Sequence, residues 1–119
     1  ETVKENFPLK IILVFAAITG IICSLWFLGI FTPDPFVEET LSLKGSSDRG
    51  ERIFRINCVG CHGISAQGLL GPDLHEVNDR LNEAEIINQI IKGRTPPMPS
   101  FEIEPQKMSD LLSYLHTLE

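Results

Sequence analysis

The apolar residues of this chain are concentrated in one uninterrupted run near its N-terminus. From Ile11 to Phe31 no residue carries a charge, and a helix over this run at about 1.5 Å per residue extends roughly 31 Å. This length matches the hydrocarbon core of a bilayer, and the run lacks the polar face that a helix of a soluble core presents to water. The pattern therefore predicts a transmembrane helix that anchors the chain in membrane lipid.

A cleaved signal peptide and a lipoprotein signal that ends at Cys23 are the two alternatives to a membrane anchor. A signal peptide has a shorter apolar region followed by small residues at the cleavage site, whereas this run continues through the bulky sequence Leu-Trp-Phe-Leu at 25–28. A lipidated cysteine would be preceded by a small residue, but Ile22 precedes Cys23 and the chain stays apolar after it. We therefore expect an uncleaved anchor over residues 1–33.

The charges that flank the apolar run indicate its orientation. Lys4 and Lys10 precede the run, whereas the first charged residues after it are acidic and no basic residue occurs before Lys44. Basic residues near the ends of a membrane helix favour the cytoplasmic side. We therefore expect the N-terminus in the cytoplasm and the remainder of the chain on the other side of the membrane.

The chain changes character after the anchor. Thr32-Pro33-Asp34-Pro35 ends the helix, because each proline disfavours helical backbone at the residue before it. We predict a linker over residues 34–47, with at most a short helical turn between Phe36 and Leu43. Residues 48–119 then form a small domain of their own.

Three amphipathic helices are predicted in this domain from the spacing of its apolar residues. The first begins near Asp48 with Ser47 as its cap and ends near Asn57, the second runs from the capping box of Asn82 and Glu85 to Gly93, and the third runs from Pro105 to Leu118. No run of residues alternates between apolar and polar as a half-buried strand does. The fold class is therefore expected to be all-α.

The charge of the chain lies outside its predicted anchor. The net charge is −6, and the two lysines and two glutamates of the first ten residues cancel, so the acidity belongs to residues 34–119. Nucleic acid is therefore excluded as a natural partner, and a basic surface on a partner protein is favoured. A domain of this size buries only a marginal core, so a large apolar cofactor would stabilise it.

Cys58-Val59-Gly60-Cys61-His62 is a C-x-x-C-H motif. In this motif two thiols attach haem covalently through its vinyl groups and the adjacent imidazole becomes an iron ligand. A redox dithiol, a disulfide and half a zinc site are the alternatives. A zinc site needs a second ligand pair, and Cys23 lies in the apolar run. We expect one haem c, bound through Cys58 and Cys61 with His62 on the iron.

Met98 is the candidate for the second axial ligand of the iron. It lies 36 residues after His62 in a proline-rich loop between the second and third helices, and prolines hold such a loop with little entropy left to lose. Met108 falls on the apolar stripe of the last helix and fits core packing better. His75 is the rival ligand, and two imidazoles would lower the reduction potential, whereas a histidine and methionine pair raises it.

The predicted domain resembles class I c-type cytochromes along nearly its whole length. The resemblance is carried by Gly50 and Phe54 before the motif, the motif itself followed by Gly63, the sequence Gly-Pro-Asp-Leu at 71–74, Pro97-Met98-Pro99 with Phe101, and the segment Leu111–Leu115 with Tyr114. The order of anchor, short linker and minimal domain is similar to that of the cyanobacterial cytochrome cM family. The resemblance implies a class I fold around one covalent haem, with the first and last helices crossing near Gly50 and Tyr114. It also implies that Pro72 offers its carbonyl to the other ring nitrogen of His62.

The resemblance implies an electron carrier rather than an enzyme. Photosystem I, a terminal oxidase, plastocyanin or a soluble cytochrome c are the partners that it suggests, with the domain in the thylakoid lumen or periplasm. The alternative is a haem subunit of a larger membrane oxidoreductase of the terminal oxidase or nitric oxide reductase type. A peroxidase would need an open iron position, which Met98 ligation closes. Arg80 and Arg94 could neutralise the haem carboxylates, although simple exposure is the favoured interpretation.

Overall fold

The computed structural model describes residues 7–118 and divides the chain into two compact units, residues 1–33 and 34–119. The first unit contains α1 (Phe7–Phe27), which has no buried residue and a mean hydropathy of 2.2 over its most apolar window. Among the described residues, α1 is the one helix long and apolar enough to cross a bilayer. This helix suggests a membrane anchor.

The α-helix of the anchor ends four residues before the apolar run does. Gly29 adopts a left-handed backbone with φ of +72°, and its carbonyl accepts hydrogen bonds from the backbone and hydroxyl of Thr32. A left-handed glycine is a common end to a helix because it costs no clash with a side chain. Residues 28–31 therefore form turns although they are as apolar as the helix itself.

The second unit is all-α within the described residues, as predicted. Its helices are α2 (Pro35–Ser42), α3 (Ser47–Asn57), α4 (Val59–His62), α5 (Val77–Arg80), α6 (Glu83–Lys92) and α7 (Pro105–Leu115), followed by a 3-10 turn over His116–Leu118. The capping box of Asn82 and Glu85 and the left-handed Gly93 bound α6 as expected. The predicted cap of α3 is wrong by one residue: Ser46 has extended backbone and its hydroxyl accepts the Arg49 N–H, whereas Ser47 is already helical.

The crossing of α3 and α7 forms the centre of this unit. Gly50 lies so close to α7 that a Cβ in its place would collide with the carbonyl of Asp110. One turn further along α3, the buried ring of Phe54 packs against Tyr114 with 5.1 Å between ring centroids. The absence of a side chain at Gly50 lets the backbones of α3 and α7 come into contact. This contact places the C-terminal half of α3, with Phe54, in the core.

The segment predicted as a linker begins with α2, a helix that packs within the second unit. Asp34 caps α2 by accepting the N–H of Phe36, and α2 packs against α7 with Val37 and Thr40 buried. Burial of Val37 stabilises this contact by about 1.5 kcal/mol. Alternation of buried and exposed residues over a single short helix gives too weak a signal in sequence to separate a docked helix from a linker.

The residues after α2 are fastened along α7 by hydrogen bonds. The hydroxyl of Ser109 donates to the carbonyl of Leu43 at 3.0 Å, and the amide of Gln106 donates to the carbonyl of Lys44 at 3.1 Å. A Cβ at Gly45 would collide with the Ser109 carbonyl. We call residues 34–46 the strap, because they lie along α7 and belong to the same compact unit.

The carboxylate of Asp110 joins the strap, α3 and α7. Its side chain is 3% exposed and accepts the backbone N–H of Ser46 at 2.8 Å, both Nε and Nη2 of Arg49 at 2.8 Å, and Nε2 of Gln106 at 3.2 Å. The Arg49 hydrogen bonds, helped by those from Ser46 and Gln106, hold the pKa of Asp110 below its ordinary value of 3.8 in spite of its burial.

Substitution of Asp110 by asparagine should lower the free energy of unfolding of the haem-loaded protein by about 2 kcal/mol at pH 7, since hydrogen bonds to a charged group contribute about 1.5–3 kcal/mol. A folded pKa below the unfolded value makes this stabilisation complete above pH 3.8 and lost as the pH falls through the folded pKa. Guanidinium unfolding at pH 7 and at pH 3 measures the difference. Glu39→Gln, at an exposed site on α2, should change neither value, and an Asp110→Asn deficit of equal size at both pH values would contradict the assignment.

Candidate functional site

The C-x-x-C-H motif occupies the turn where α3 ends and α4 begins. The N–H of Cys58 completes α3 by donating to Phe54, and the N–H of His62 donates to the Cys58 carbonyl at 2.9 Å. This tight turn leaves Cys61 exposed, Cys58 half-buried and His62 buried, and neither thiol forms a disulfide. Burial, and next the proximity of Cys61, raise the pKa of the Cys58 thiol to about 11.

The imidazole of His62 is oriented by the loop that follows the motif. Its Nδ1 lies 2.8 Å from the carbonyl oxygen of Pro72, an arrangement in which Nδ1 carries the proton and donates it. Gly71 packs flat against the ring, where a Cβ would lie 2.7 Å from Cε1, and its N–H donates to the Cys61 carbonyl at 2.7 Å. Because Nδ1 is engaged, Nε2 is the nitrogen that remains available to a metal.

Met98 lies in the loop between α6 and α7, and the loop is folded tightly onto α6. The N–H of Met98 donates to the Thr95 carbonyl at 3.1 Å, and the N–H of Phe101 donates to the Ile90 carbonyl at 3.0 Å. The left-handed turn at Gly93 admits this fold, since a Cβ there would lie 2.8 Å from the Met98 carbonyl oxygen. These contacts fix the backbone of the half-buried Met98 in the loop between α6 and α7.

A cavity of about 570 Å³ brings the predicted site residues together. Its lining includes Cys58, Cys61, His62, Pro72 and Met98 and is otherwise mostly apolar. A second cavity of about 600 Å³ shares Cys58 and Met98 with it. Cofactor sites usually occupy roughly 300–1,000 Å³ and are lined in the same way, by apolar groups with a few placed polar ones.

The donors around this cavity fit haem better than a bare metal ion. Two thiols are available for covalent attachment, and the imidazole of His62 and the thioether of Met98 are both ligands that iron accepts in cytochromes. Within residues 7–118 no group of three or more His, Cys, Asp or Glu side chains could hold a metal ion by itself.

The remaining candidates from the sequence lie elsewhere or play other parts. The exposed ring of His75 has its Nδ1 2.6 Å from the carboxylate of Asp73 and does not line the cavity. Met108 is fully buried in the core. Arg80 lines the cavity and donates from Nη2 to the Asp73 carbonyl at 2.8 Å, whereas Arg94 is exposed and outside the lining.

Two polar residues of the site carry no motif in the sequence. Gln89, on α6, lines the cavity and donates from Nε2 to the Met98 sulfur at 3.4 Å. The hydroxyl of Thr95 in turn donates to Oε1 of Gln89 at 3.2 Å. The sequence signal that could have identified Gln89 as a site residue is its place in α6 among buried isoleucines, since it lies between Ile87 and Ile90.

Comparison with known proteins gives consistent similarities. Residues 45–115 match the family described as cytochrome c oxidase, cbb3-type, subunit III. A Synechocystis sp. protein named cytochrome c-553-like is 54% identical over 85 residues, which are 71% of this chain and 81% of the relative. Cytochrome c-550 of Bacillus subtilis is 33% identical over 76 residues, which are 64% of this chain and 62% of that protein.

Among solved structures, cytochrome cL from the marine methylotrophic bacterium Methylophaga aminisulfidivorans matches with a TM-score of 0.56 at 21% sequence identity. The match covers 73% of this chain and 70% of that chain. At this level of identity the likeness shows a shared fold and no more.

Proposed function

We propose that this chain, which belongs to the c-type cytochrome family, is tethered by α1 to a membrane and passes one electron at a time between redox proteins at its surface. Membership of the family makes the protein a single-haem electron carrier rather than an enzyme, with haem c bound covalently. The observation that carries the proposal is the cavity around which the C-x-x-C-H motif and Met98 meet. Haem c, when bound, supplies the one-electron redox couple.

The residues of the cavity have separate parts in this proposal. Cys58 and Cys61 would hold haem c through thioether bonds, and His62 and Met98 would ligate its iron. The carbonyl of Pro72, 2.8 Å from Nδ1, keeps the proton of the neutral His62 ring on Nδ1, so that Nε2 would be free to ligate the iron, as outer partners do for metal-bound histidines. With both side chains bound, the iron would have no open position, so that electrons could pass while small molecules are kept from it.

The proposed location is a thylakoid or plasma membrane, with the N-terminus in the cytoplasm and the haem domain in the lumen or periplasm. Lys4 and Lys10 before the apolar run, and the acidic residues after it, support this orientation. The similarity to a Synechocystis protein supports a photosynthetic membrane as the setting. An anchored carrier diffuses in the plane of the membrane and meets partners that are held there.

The partners that we propose are redox proteins with a basic docking surface, such as a terminal oxidase, photosystem I, plastocyanin or a soluble cytochrome c. The acidity of residues 34–119 supports electrostatic complementarity with such a surface. Leu70 lines the cavity of the motif and is 79% exposed, and Ile56 lines the second cavity and is 82% exposed. Exposed apolar side chains at these positions suit a transient contact with a partner beside the haem. The family description, which names an oxidase subunit, favours an oxidase among these partners.

The same description supports a second candidate, a haem subunit that stays assembled in a larger membrane oxidoreductase. Purification in mild detergent separates the two functions. A free carrier elutes as a monomer, whereas an assembled subunit elutes with other chains in fixed ratio. We favour the carrier because the Synechocystis protein, which is not named as an oxidase subunit, matches at 54% identity, whereas the cbb3-type oxidase subunits match at 28–33%.

The proposal is tested with the full chain expressed in bacteria that mature c-type cytochromes. We expect haem-stained protein in the membrane pellet after an alkaline wash, and digestion of the haem domain by protease added to intact spheroplasts. The oxidised protein should show the red charge-transfer band of methionine sulfur bound to ferric iron. Haem in the soluble fraction would contradict the anchor, protection from protease would contradict the orientation, and absence of the band would contradict ligation by Met98.

A further inference from the structure

The sulfur of Met98 is the acceptor at the end of a short chain of hydrogen bonds. Gln89 donates to it from Nε2 at 3.4 Å, and Thr95 donates from Oγ1 to Oε1 of the same amide at 3.2 Å. All three residues line the cavity that contains His62. The chain therefore connects the first part of the methionine loop, through α6, to the atom that we propose as iron ligand.

The chemistry of the three groups favours one direction for this chain. A thioether sulfur accepts hydrogen bonds and has no proton to donate, so the NH₂ end of the Gln89 amide faces Met98 and the oxygen end faces Thr95. A hydroxyl can donate to that oxygen, which fixes the amide in place. Thr95 is itself held, because its carbonyl accepts the N–H of Met98 at 3.1 Å.

We propose that Gln89 and Thr95 are positioning residues that set the rotamer of the Met98 side chain and raise the reduction potential of the haem. This inference depends on the proposed ligation by Met98. The methionine side chain is unbranched and has three rotatable bonds, so by itself it can adopt many rotamers. A hydrogen-bond donor to its sulfur restricts it to fewer of them. The N–H of Gln89 also withdraws electron density from the sulfur and places partial positive charge beside it, which disfavours the more positive ferric state.

The two residues differ in how they act. Gln89 touches the sulfur, so its loss removes the donor itself. Thr95 acts only through Gln89, because its hydroxyl holds the amide oxygen. Removal of the Thr95 hydroxyl should therefore change the reduction potential only when Gln89 is present. A role of Thr95 in loop structure alone would not produce this dependence.

The test compares Gln89→Leu, Thr95→Val, the double variant and Thr117→Val in the full haem-loaded chain. Thr117 is a matched control, since its hydroxyl donates to the Tyr114 carbonyl in the 3-10 turn and does not line the cavity. We expect all four variants to keep the red charge-transfer band. The reduction potential should fall in Gln89→Leu, fall less in Thr95→Val, be the same in the double variant as in Gln89→Leu, and be unchanged in Thr117→Val.

The possible results distinguish a failure of this inference from a failure of the proposed ligation by Met98. A wild-type protein without the band overturns ligation by Met98 and this inference together. A wild type with the band, combined with unchanged potentials in Gln89→Leu and Thr95→Val, overturns this inference alone. A Thr95→Val shift of equal size with and without Gln89 overturns the action of Thr95 through Gln89.

Discussion

Replacement of Met98 by alanine is expected to abolish the red charge-transfer band and to lower the reduction potential more than any other single change in the cavity, while the covalent haem is kept. Cys58 lies between α3 and α4, and Cys61 lies within α4, so attachment does not depend on the methionine loop. If Met98 ligates the iron as proposed, loss of its thioether removes the ligand that favours ferrous iron. The vacated axial position should then bind imidazole or cyanide.

Optical titration of the ferric Met98→Ala protein with imidazole measures this opening directly. Met108→Leu is the matched control, because Met108 is fully buried in the core and a swap of similar volume there costs less than about 1.5 kcal/mol. The control should keep the band and bind imidazole only weakly. A band that survives in Met98→Ala and disappears in Met108→Leu would reverse the assignment of the two methionines.

The parts of the structure that could be predicted are those set by neighbouring residues in the sequence. Asn82 and Glu85 form a local capping box, and both ends of α6 lie where the pattern places them. The haem-binding motif is equally local, since five consecutive residues contain both thiols and the imidazole. The covalent cofactor and the all-α fold could therefore be predicted without knowledge of long-range packing.

The strap shows where prediction from the pattern stops. Beyond the buried Val37 and Thr40 of α2, the attachment of residues 34–46 depends on the backbone carbonyls of Leu43 and Lys44, which accept from Ser109 and Gln106 about sixty residues away. Backbone acceptors are present at every position, so no residue type marks this contact in advance. The absence of a side chain at Gly45 is required for it, but an isolated glycine is equally typical of a turn or a flexible linker.

The chain from Thr95 to Met98 could not be predicted for a related reason. It depends on the rotamers of three side chains and on how the loop after Gly93 folds back onto α6, where the Phe101 N–H meets the Ile90 carbonyl. Helical spacing places Gln89 beside apolar neighbours but does not say which polar atom it meets. The place of Met98 in the lining of the cavity could be predicted because a methionine enclosed by prolines in a loop is poorly placed for core packing, whereas its hydrogen-bond partner needed three-dimensional information.

Substitution of Gly50 by alanine should cost about 2 kcal/mol of unfolding free energy, because overpacking of about 3 kcal/mol outweighs the roughly 1 kcal/mol that alanine gains as the better helix former. A Cβ at this position would collide with the carbonyl oxygen of Asp110, and it would lie 2.8 Å from Cβ of Tyr114. The obstruction is backbone and not the end of a flexible side chain, so α3 and α7 must move apart. Overpacking of this kind exceeds the gain in helix propensity.

Gly60→Ala tests this reasoning within the same domain. A Cβ at Gly60 meets nothing within 4 Å, although the residue lies inside the haem-binding motif. Haem content should match that of the wild type, and stability should equal it or exceed it by up to about 1 kcal/mol, the gain in helix propensity. Guanidinium unfolding of the two haem-loaded variants, followed by helical circular dichroism, compares them directly. The ring of Phe54, on α3, packs against Tyr114 of α7 and lines the cavity. Separation of the two helices in Gly50→Ala should therefore also loosen the packing of this ring. Equal stability of Gly50→Ala and Gly60→Ala would mean that the helices do not cross at Gly50.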